Sequence, residues 1–529
     1  MFVKFIATAR VHANHLVKKW TGSVGLPINR WLSAVAKVSS MTLISRVSGF
    51  ARDFLFASVF GASPWLESFV ISFKFPSMFR RVLGEGMTSV IVPVFTDIND
   101  QTEQNQFIQS MLLLLLIATG LMWALIATYP VFFVKILASG FADDERLMMT
   151  ARMLPWSFSY LLFIAWIALL SGVLNARGSF ALPAAVPVGL NIGLFVCTWL
   201  VYLWHGSAMW LAYALVLSGI AQVGVMLWAV FRTGFRCQWP HVWHKGVKKV
   251  FVLLMAAWAG FAASQISVFI DTWLASWLPT GCIGWLYYSE RIVYLPQGTI
   301  GVAMATVLLP TLSQSNVSND QSTYDRTLAS GLGVCMRVGV PVMILMFCLA
   351  EPLVWVIFGH GKFKASDVHA AAQSVRAMVC GLPFMMMNKL LVASYFAKTL
   401  VRYTVIATLI SVIVNTVIAV TLMHSLFHVA FAIGIAVGSL VSVVYLLAVH
   451  PSGKPIVESL KKQALADGVW WTLLLVLFIA MMFIEINASH GFIEKAWRLV
   501  IMISIPFVIS TVLMKWFEKR NTITYISRS

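Results

Sequence analysis

Charge is scarce in this chain. Only 11% of its 529 residues are Asp, Glu, Lys or Arg, against 60% hydrophobic ones, and the mean hydropathy is +0.84. Soluble domains carry about a quarter charged residues, so a soluble fold is excluded. Segments of about ten residues with alternating polarity are also missing, which argues against a membrane β-barrel. Six cysteines (Cys197, Cys237, Cys282, Cys335, Cys348 and Cys380) are scattered, mostly within apolar runs, and no Cys-x-x-Cys occurs. Neither a disulfide framework nor a thiolate metal site is expected from them. The eleven histidines form no ligand cluster. Metal-ligand spacing, a phosphate-binding glycine loop and a nucleophile elbow are absent too, which leaves little on which to build enzyme chemistry.

Long apolar runs are what the chain has in abundance. A bilayer core needs roughly 20 apolar residues per helix, and a helix satisfies its own backbone polar groups in lipid. Breaking the runs at polar, Gly and Pro clusters gives fourteen spans: 38–62, 65–96, 106–133, 150–174, 181–204, 208–231, 250–278, 282–312, 328–357, 368–397, 403–424, 428–449, 469–486 and 497–514. The sequence therefore predicts an all-α polytopic membrane protein with 14 transmembrane helices. Of the 38 basic residues, 22 flank the spans on the side of the termini, 8 flank the other side and 8 lie inside spans. Basic residues collect on cytoplasmic loops, so both termini are expected in the cytoplasm. The net charge of +18 is then a mark of topology and does not point to nucleic acid. Residues 1–37 read as a basic cytoplasmic lead, too interrupted for a signal peptide, and 515–529 as a basic cytoplasmic tail.

The basic residues inside spans are Arg46, Arg52, Lys74, Arg80, Arg81, Arg291, Arg337 and Lys389. Each costs roughly 2.5–3.5 kcal/mol at a helix centre unless it reaches water or a partner. In span one, "ISRVSGFARD" sets Arg46 and Asp53 seven apart on one face, with Gly49 between them. In span two, Glu67, Ile71, Lys74, Met78, Arg81 and Glu85 follow helical spacing, and Pro76 and "GEG" at 84–86 are expected to kink or unwind that stripe. Span eight holds Glu290 and Arg291 before Pro296; span seven adds Asp271 and span ten Lys389. Arg337 lies near a span end and reads as snorkelling. Structural ion pairs and snorkelling ends are the bland account of these charges. The excess of Arg over acid favours an anionic ligand instead, since guanidinium matches phosphate or carboxylate oxygens bidentately.

Spans two and eight share a pattern: "KFPSMFRRVLGEGMTSVIVPVF" and "VYLPQGTIGVAMATVLLPTL" each run from a Pro through Gly and small residues to a second Pro. An offset of six spans preserves orientation, which suggests two parallel six-helix lobes about a central site, plus two C-terminal helices outside the repeat. The motifs "SSMTLISRVSGFARD", "GASPWLESFVISFKFPSMFRRVLGEGMTSVIVPVF", "GVLNARGSFALPAAVPVGLNI" and "SQISVFIDTWLASWLPTGCIGWLYYSERIVYLPQGTIGVAMATVLLPTLSQ" resemble those of the MurJ (MviN) family of bacterial lipid II flippases. That family belongs to the multidrug/oligosaccharidyl-lipid/polysaccharide exporter superfamily. The likeness runs from about Trp31 to near the C-terminus.

The resemblance implies an N-terminal lobe at 38–232, a C-terminal lobe at 233–450 and a lipid-tail groove built from spans thirteen and fourteen at 451–514. It carries the substrate-binding arginines onto Arg46, Arg52, Arg80 and Arg291. Cavity and gating charges fall on Asp53, Glu67, Lys74, Arg81, Glu85 and Glu290, and Lys389 joins them from the reading of span ten. Some members bind sodium through an Asp in span seven and an Asn with an Asp in span eleven. Asp271 and Asn415 match two of these, while Ala419 stands where the second acid would be. The expected activity is transfer of the lipid II head group across the bacterial inner membrane without covalent chemistry or cofactor, with membrane potential or a monovalent cation as the coupling source. Lipid II, membrane lipid and the cell-wall synthesis machinery are the expected partners. Alternatives are an exporter of another polyprenyl-linked oligosaccharide, a multidrug exporter of the same superfamily, an intramembrane enzyme on polyprenyl phosphates, and a scaffold.

Overall fold

The computed structural model describes residues 28–485 other than 82, 84–85, 142–144, 237–244 and 319, and every regular element among them is helical. In chain order these are α1 (Ile28–Phe60), α2 (Pro64–Arg81), α3 (Met87–Thr96), α4 (Gln101–Thr128), α5 (Pro130–Leu137), α6 (Glu145–Ala176), α7 (Ala181–Trp204), α8 (Met209–Arg232) and α9 (Lys245–Ala275). There follow α10 (Cys282–Pro296), α11 (Val302–Val317), α12 (Gln321–Cys348), α13 (Ala350–Phe358), α14 (Ala365–Val379), α15 (Leu382–Ala397), α16 (Val401–Leu426), α17 (His428–Val449) and α18 (Gly453–Glu485). Thirteen of the fourteen expected spans fall on these helices or on interrupted pairs of them. Span fourteen (497–514), most of the basic lead and the basic tail lie outside the described residues. Among the described residues, eight single helices (α4, α6, α7, α8, α12, α16, α17 and α18) are long and apolar enough to cross a membrane, and α14 with α15, bent by 49°, makes a ninth when the pair is counted as one span.

Spans one, two and eight are the charged or broken ones. Helix α1 starts ten residues before the expected span, because helical pairing continues into the polar flank where hydropathy gives no signal. Span two is continuous through Pro76 and breaks between α2 and α3, where Leu83 and Gly86 take π-type pairing. Span eight breaks in the same way, with a π turn at Gln297–Gly301 between α10 and α11. The second prolines, Pro93 and Pro310, sit inside α3 and α11. Among the described residues, π-type pairing thus accompanies the shared Pro–Gly–Pro pattern in both spans. A wide turn of this kind leaves the i→i−4 ladder open, and such turns gather at functional positions.

The chain divides into two compact units, whose described parts are 28–52, 76–128 and 155–258, and 53–75, 129–154 and 259–485. In the first, α7 and α8 pair along their length. The buried Tyr160 hydroxyl donates to Gln222 Oε1 (2.9 Å), and Gln222 Nε2 donates to the Val186 carbonyl (2.8 Å). In the second, α16 and α17 form the tightest pair. Gly434 and Gly438 of α17 face Asn415 and Ser411 of α16 at distances that leave no room for a Cβ. This is the small-xxx-small solution to helix packing in lipid, where close backbone approach replaces a hydrophobic driving force. Ile344, Cys348 and Leu349 pack with Leu474 and Phe478, seating α18 against α12.

Candidate functional site

The embedded charges fall into four clusters. The first belongs to the first unit. Arg52, 7% exposed, donates from Nη1 to Asn191 Oδ1 (2.9 Å). The amide of Asn191, on α7, donates in turn to the Ser45 carbonyl (3.0 Å) and to Ser48 Oγ (3.2 Å) on α1. Asn191 therefore brackets α1 and holds the guanidinium by its one free oxygen. Gly49 is the residue that lets it in, since a Cβ there would stand 3.2 Å from Asn191 Nδ2. Arg46 is half-buried on the same helix, and Arg80 is exposed on α2, within electrostatic reach of Tyr160.

The second cluster lies in the second unit and joins the end of α1 to α10. Asp53, 2% exposed, accepts from the Tyr287 hydroxyl at Oδ1 (2.7 Å) and pairs through Oδ2 with Arg291 Nε (3.2 Å). The Arg291 guanidinium lies over the Tyr287 ring, 4.6 Å from its centroid. Glu290 beside it is half-buried.

The third cluster is a buried ion pair with a helix end attached. Glu67, fully buried on α2, accepts from Arg146 Nη1 at Oε2 (3.0 Å). Its other oxygen accepts from the backbone N–H groups of Gly281 (2.8 Å), Ile283 (3.0 Å) and Gly284 (3.4 Å). Those amides open α10, and the first amides of a helix are unpaired and carry partial positive charge, which is where a carboxylate binds well. Gly281 makes the turn possible with φ 102°. Arg146 also donates to the Leu278 carbonyl and lies 4.2 Å from the centroid of the Phe141 ring. Nearby backbone contacts tie the same segments together: Gly140 N donates to Ser276 Oγ (3.0 Å) and Lys362 N to the Ser58 carbonyl (2.8 Å).

The fourth cluster pairs Asp271 of α9 with Asn415 of α16. Asn415 Nδ2 donates to Asp271 Oδ1 (2.7 Å), and Ser267 Oγ stands 3.5 Å from Oδ2. Asn415 Oδ1 is buried with no hydrogen-bond partner among the described residues. Lys74 and Glu290 act electrostatically on Asp271.

The structure thus brings together Asp53 with Arg291, and Asp271 with Asn415. It places Lys74 half-buried and Lys389 exposed on α15. The Arg81 side chain and Glu85 lie outside the described residues. Three partners escaped the sequence reading. Arg146 looked like a loop cation, although it is 5% exposed. Asn191 sat in a quoted motif without a role. Tyr287 stands four residues before Arg291, a spacing that puts both on one helical face and could have signalled the pair. Arg337 does more than snorkel, because its Nε pairs with Asp467 Oδ2 of α18 (2.8 Å). Among the described residues no three His, Cys, Asp or Glu side chains come together as a metal site.

A helical body with at least eight long apolar helices, buried guanidinium groups and interrupted helices defines a polytopic membrane protein of the kind that includes transporters. Comparison with known proteins narrows this. The sequence profile described as lipid II flippase MurJ matches residues 56–505. The chain is 33% identical over 404 residues to a probable lipid II flippase MurJ of Vibrio cholerae, covering 72% of this chain and 75% of that one. It is 32% identical over 385 residues to the lipid II flippase MurJ of Burkholderia cenocepacia, covering 69% and 73%. The chain belongs to the MurJ family. Its fold matches a solved structure of lipid II flippase MurJ in an inward closed conformation, with TM-score 0.78 at 22% identity over 92% of this chain and 99% of that one. It also matches an inward-facing multidrug resistance transporter of the MATE family, with TM-score 0.62 at 13% identity over 81% and 99%.

Proposed function

We propose that this protein moves the head group of lipid II from the cytoplasmic to the periplasmic leaflet of the bacterial inner membrane by alternating access, making and breaking no covalent bond. The observation that carries this reading is the family match across residues 56–505, most of the chain. The embedded arginines give it a physical basis. Lipid II bears a diphosphate between its polyprenyl tail and its sugars, and Arg46, Arg52, Arg80 and Arg291 would supply guanidinium groups to those oxygens. Asp53 and Glu67 hold cations in place between transport steps, and Lys74, Arg81, Glu85, Glu290 and Lys389 set the field of the pathway.

Residues 38–232 and 233–450 would act as the two rocking lobes, with 451–514 carrying the tail. Both termini would lie in the cytoplasm, as the 22-to-8 bias of basic flanks supports. Membrane potential would drive the return, or a monovalent cation held by the Asp271 carboxylate and the Asn415 amide oxygen. The enzymes of cell-wall synthesis, which make and consume lipid II, are the expected partners. A drug exporter shares the fold but calls for acids and aromatics facing a cationic cargo, whereas buried guanidinium groups face an anionic one.

Depletion of the native flippase and rescue with Arg46→Ala, Arg52→Ala, Arg80→Ala or Arg291→Ala tests the reading. Lipid II is expected to accumulate on the cytoplasmic side in at least Arg52→Ala and Arg291→Ala at normal protein levels. Full translocation by all four stable variants would remove the diphosphate clamp.

A further inference from the structure

We propose that Tyr287 is the positioning residue for Arg291, fixing which part of its guanidinium faces the anionic substrate. This rests on the reading above, in which Arg291 meets the diphosphate.

Three contacts close a triangle. Tyr287 and Arg291 are one turn apart on α10 and so share a face. The Tyr287 ring lies beneath the guanidinium at 4.6 Å, a geometry in which the electron-rich face attracts the cation. The Tyr287 hydroxyl then binds Oδ1 of the same carboxylate whose Oδ2 holds Arg291 Nε. The ring thus fixes one face of the guanidinium, and Asp53 fixes its inner edge.

Exposure says which part remains for a ligand. The Asp53 side chain is 4% exposed and the Arg291 side chain 44%, so the acid sits behind the cation and the cation faces outward. Arg291 would otherwise be a long side chain beside two acids, Asp53 and Glu290, able to turn its terminal nitrogens inward and offer the substrate nothing. Tyr287 opposes that turn: its ring lies against one face of the guanidinium, and its hydroxyl already donates to the Asp53 oxygen that the terminal nitrogens would seek. The preset fork then meets a diphosphate end-on without a reordering cost, which is how preorganisation raises affinity.

The test uses purified full-length protein in detergent, with lipid II binding and thermal unfolding both measured. Tyr287→Leu keeps an apolar side chain and loses ring and hydroxyl; it is expected to weaken binding on the order of tenfold, the scale of a cation–π support in a partly desolvated site. Tyr287→Phe keeps the ring and is expected to bind within about threefold of wild type; both variants lose the hydroxyl that donates to the buried Asp53 carboxylate and are expected to unfold at a similarly lowered temperature. In an Arg291→Ala background Tyr287→Leu should cost nothing further, because there is no guanidinium left to position. A tenfold loss that persists in that background would make Tyr287 a packing residue only and overturn the inference. So would a Tyr287→Leu variant that binds like wild type while Arg291→Ala binds weakly. If Arg291→Ala itself binds like wild type, the reading of Arg291 as a substrate ligand falls, and the role of Tyr287 falls with it.

Discussion

Replacing Glu67 by Gln asks how much of the packing around the start of α10 one carboxylate holds. Glutamine keeps the length and one oxygen for the Gly281 and Ile283 amides, but its NH2 group meets Arg146 Nη1, donor against donor, at the 3.0 Å now spanned by the ion pair. Arg146 is 5% exposed, so the charge is left buried and uncompensated. Breaking a buried pair from one side costs about 3–5 kcal/mol. If that loss falls on the arrangement in which 53–75 and 129–154 are tied to the start of α10, its population drops by a factor on the order of 100 or more, at about 1.4 kcal/mol per tenfold. A cysteine placed at Ser276, which is fully buried under Gly140, reports the opening through its rate of labelling by an impermeant maleimide, with the native cysteines replaced. Glu67→Gln should label at least tenfold faster than the parent and transport poorly. Glu67→Gln with Arg146→Met removes both charges and should recover most of the protection, because no uncompensated charge is then left buried. Labelling as slow in Glu67→Gln as in the parent would refute the reading that the Glu67–Arg146 pair holds these segments together. Labelling as fast in the double variant as in the single one would refute the uncompensated charge as the cause.

Asn191→Leu removes the amide that holds Arg52 at 2.9 Å; a hydrogen bond to a charged group contributes about 1.5–3 kcal/mol, so rescue of a depleted strain should fall roughly tenfold or more at normal protein level. Gly438→Leu drives a side chain toward Ser411, where even a Cβ would stand 2.8 Å from Oγ, and should lower the unfolding temperature, with a cost of about 1–3 kcal/mol. Gly120→Ala, which meets nothing within 4 Å, is the matched control and should hold or raise it. His450, just beyond the end of α17, is pushed down from its ordinary 6.5 to about 4, by burial first and by the nearby Lys398 cation second. The folded state therefore prefers the neutral ring: its stability is complete above about pH 6.5 and declines as the unfolded chain takes up a proton between pH 6.5 and 4, by roughly 3 kcal/mol in all. His450→Phe should flatten the unfolding temperature across pH 4.5–7.5, and an unchanged slope would point to another group.

Legibility followed the range of the physics. Spans such as α7, α8 and α17 were readable within a residue or two, because a long apolar run in lipid has one backbone solution and its polar flanks mark its ends. Span two is interrupted near Gly86, where the sequence predicts an unwinding at "GEG", whereas Pro76, where a kink is expected, lies inside a continuous α2. The start of α1 was missed because helix pairing outruns the apolar run there. Arg146 was missed because sequence gives a cation near a span end the same flanking meaning whether it faces water or Glu67. The partner of Arg52 was equally out of reach: Asn191 is 139 positions away, and nothing in a local pattern distinguishes a bracketing amide from any polar residue in a helix.

The sequence by itself determined the all-helical membrane class and most of the apolar runs that become helices. Hydropathy, the basic flanks and the cost of burying a guanidinium are properties of each segment alone, and the MurJ motifs are contiguous strings. Only the tertiary structure decided which charges meet. It set Asn191 on Arg52, Tyr287 and Asp53 on Arg291, Arg146 and three backbone amides on Glu67, and Asn415 on Asp271. Those choices depend on which helix faces lie opposite one another, and the amide donors that bind Glu67 are supplied by the backbone at a helix start, where side-chain identity carries no signal.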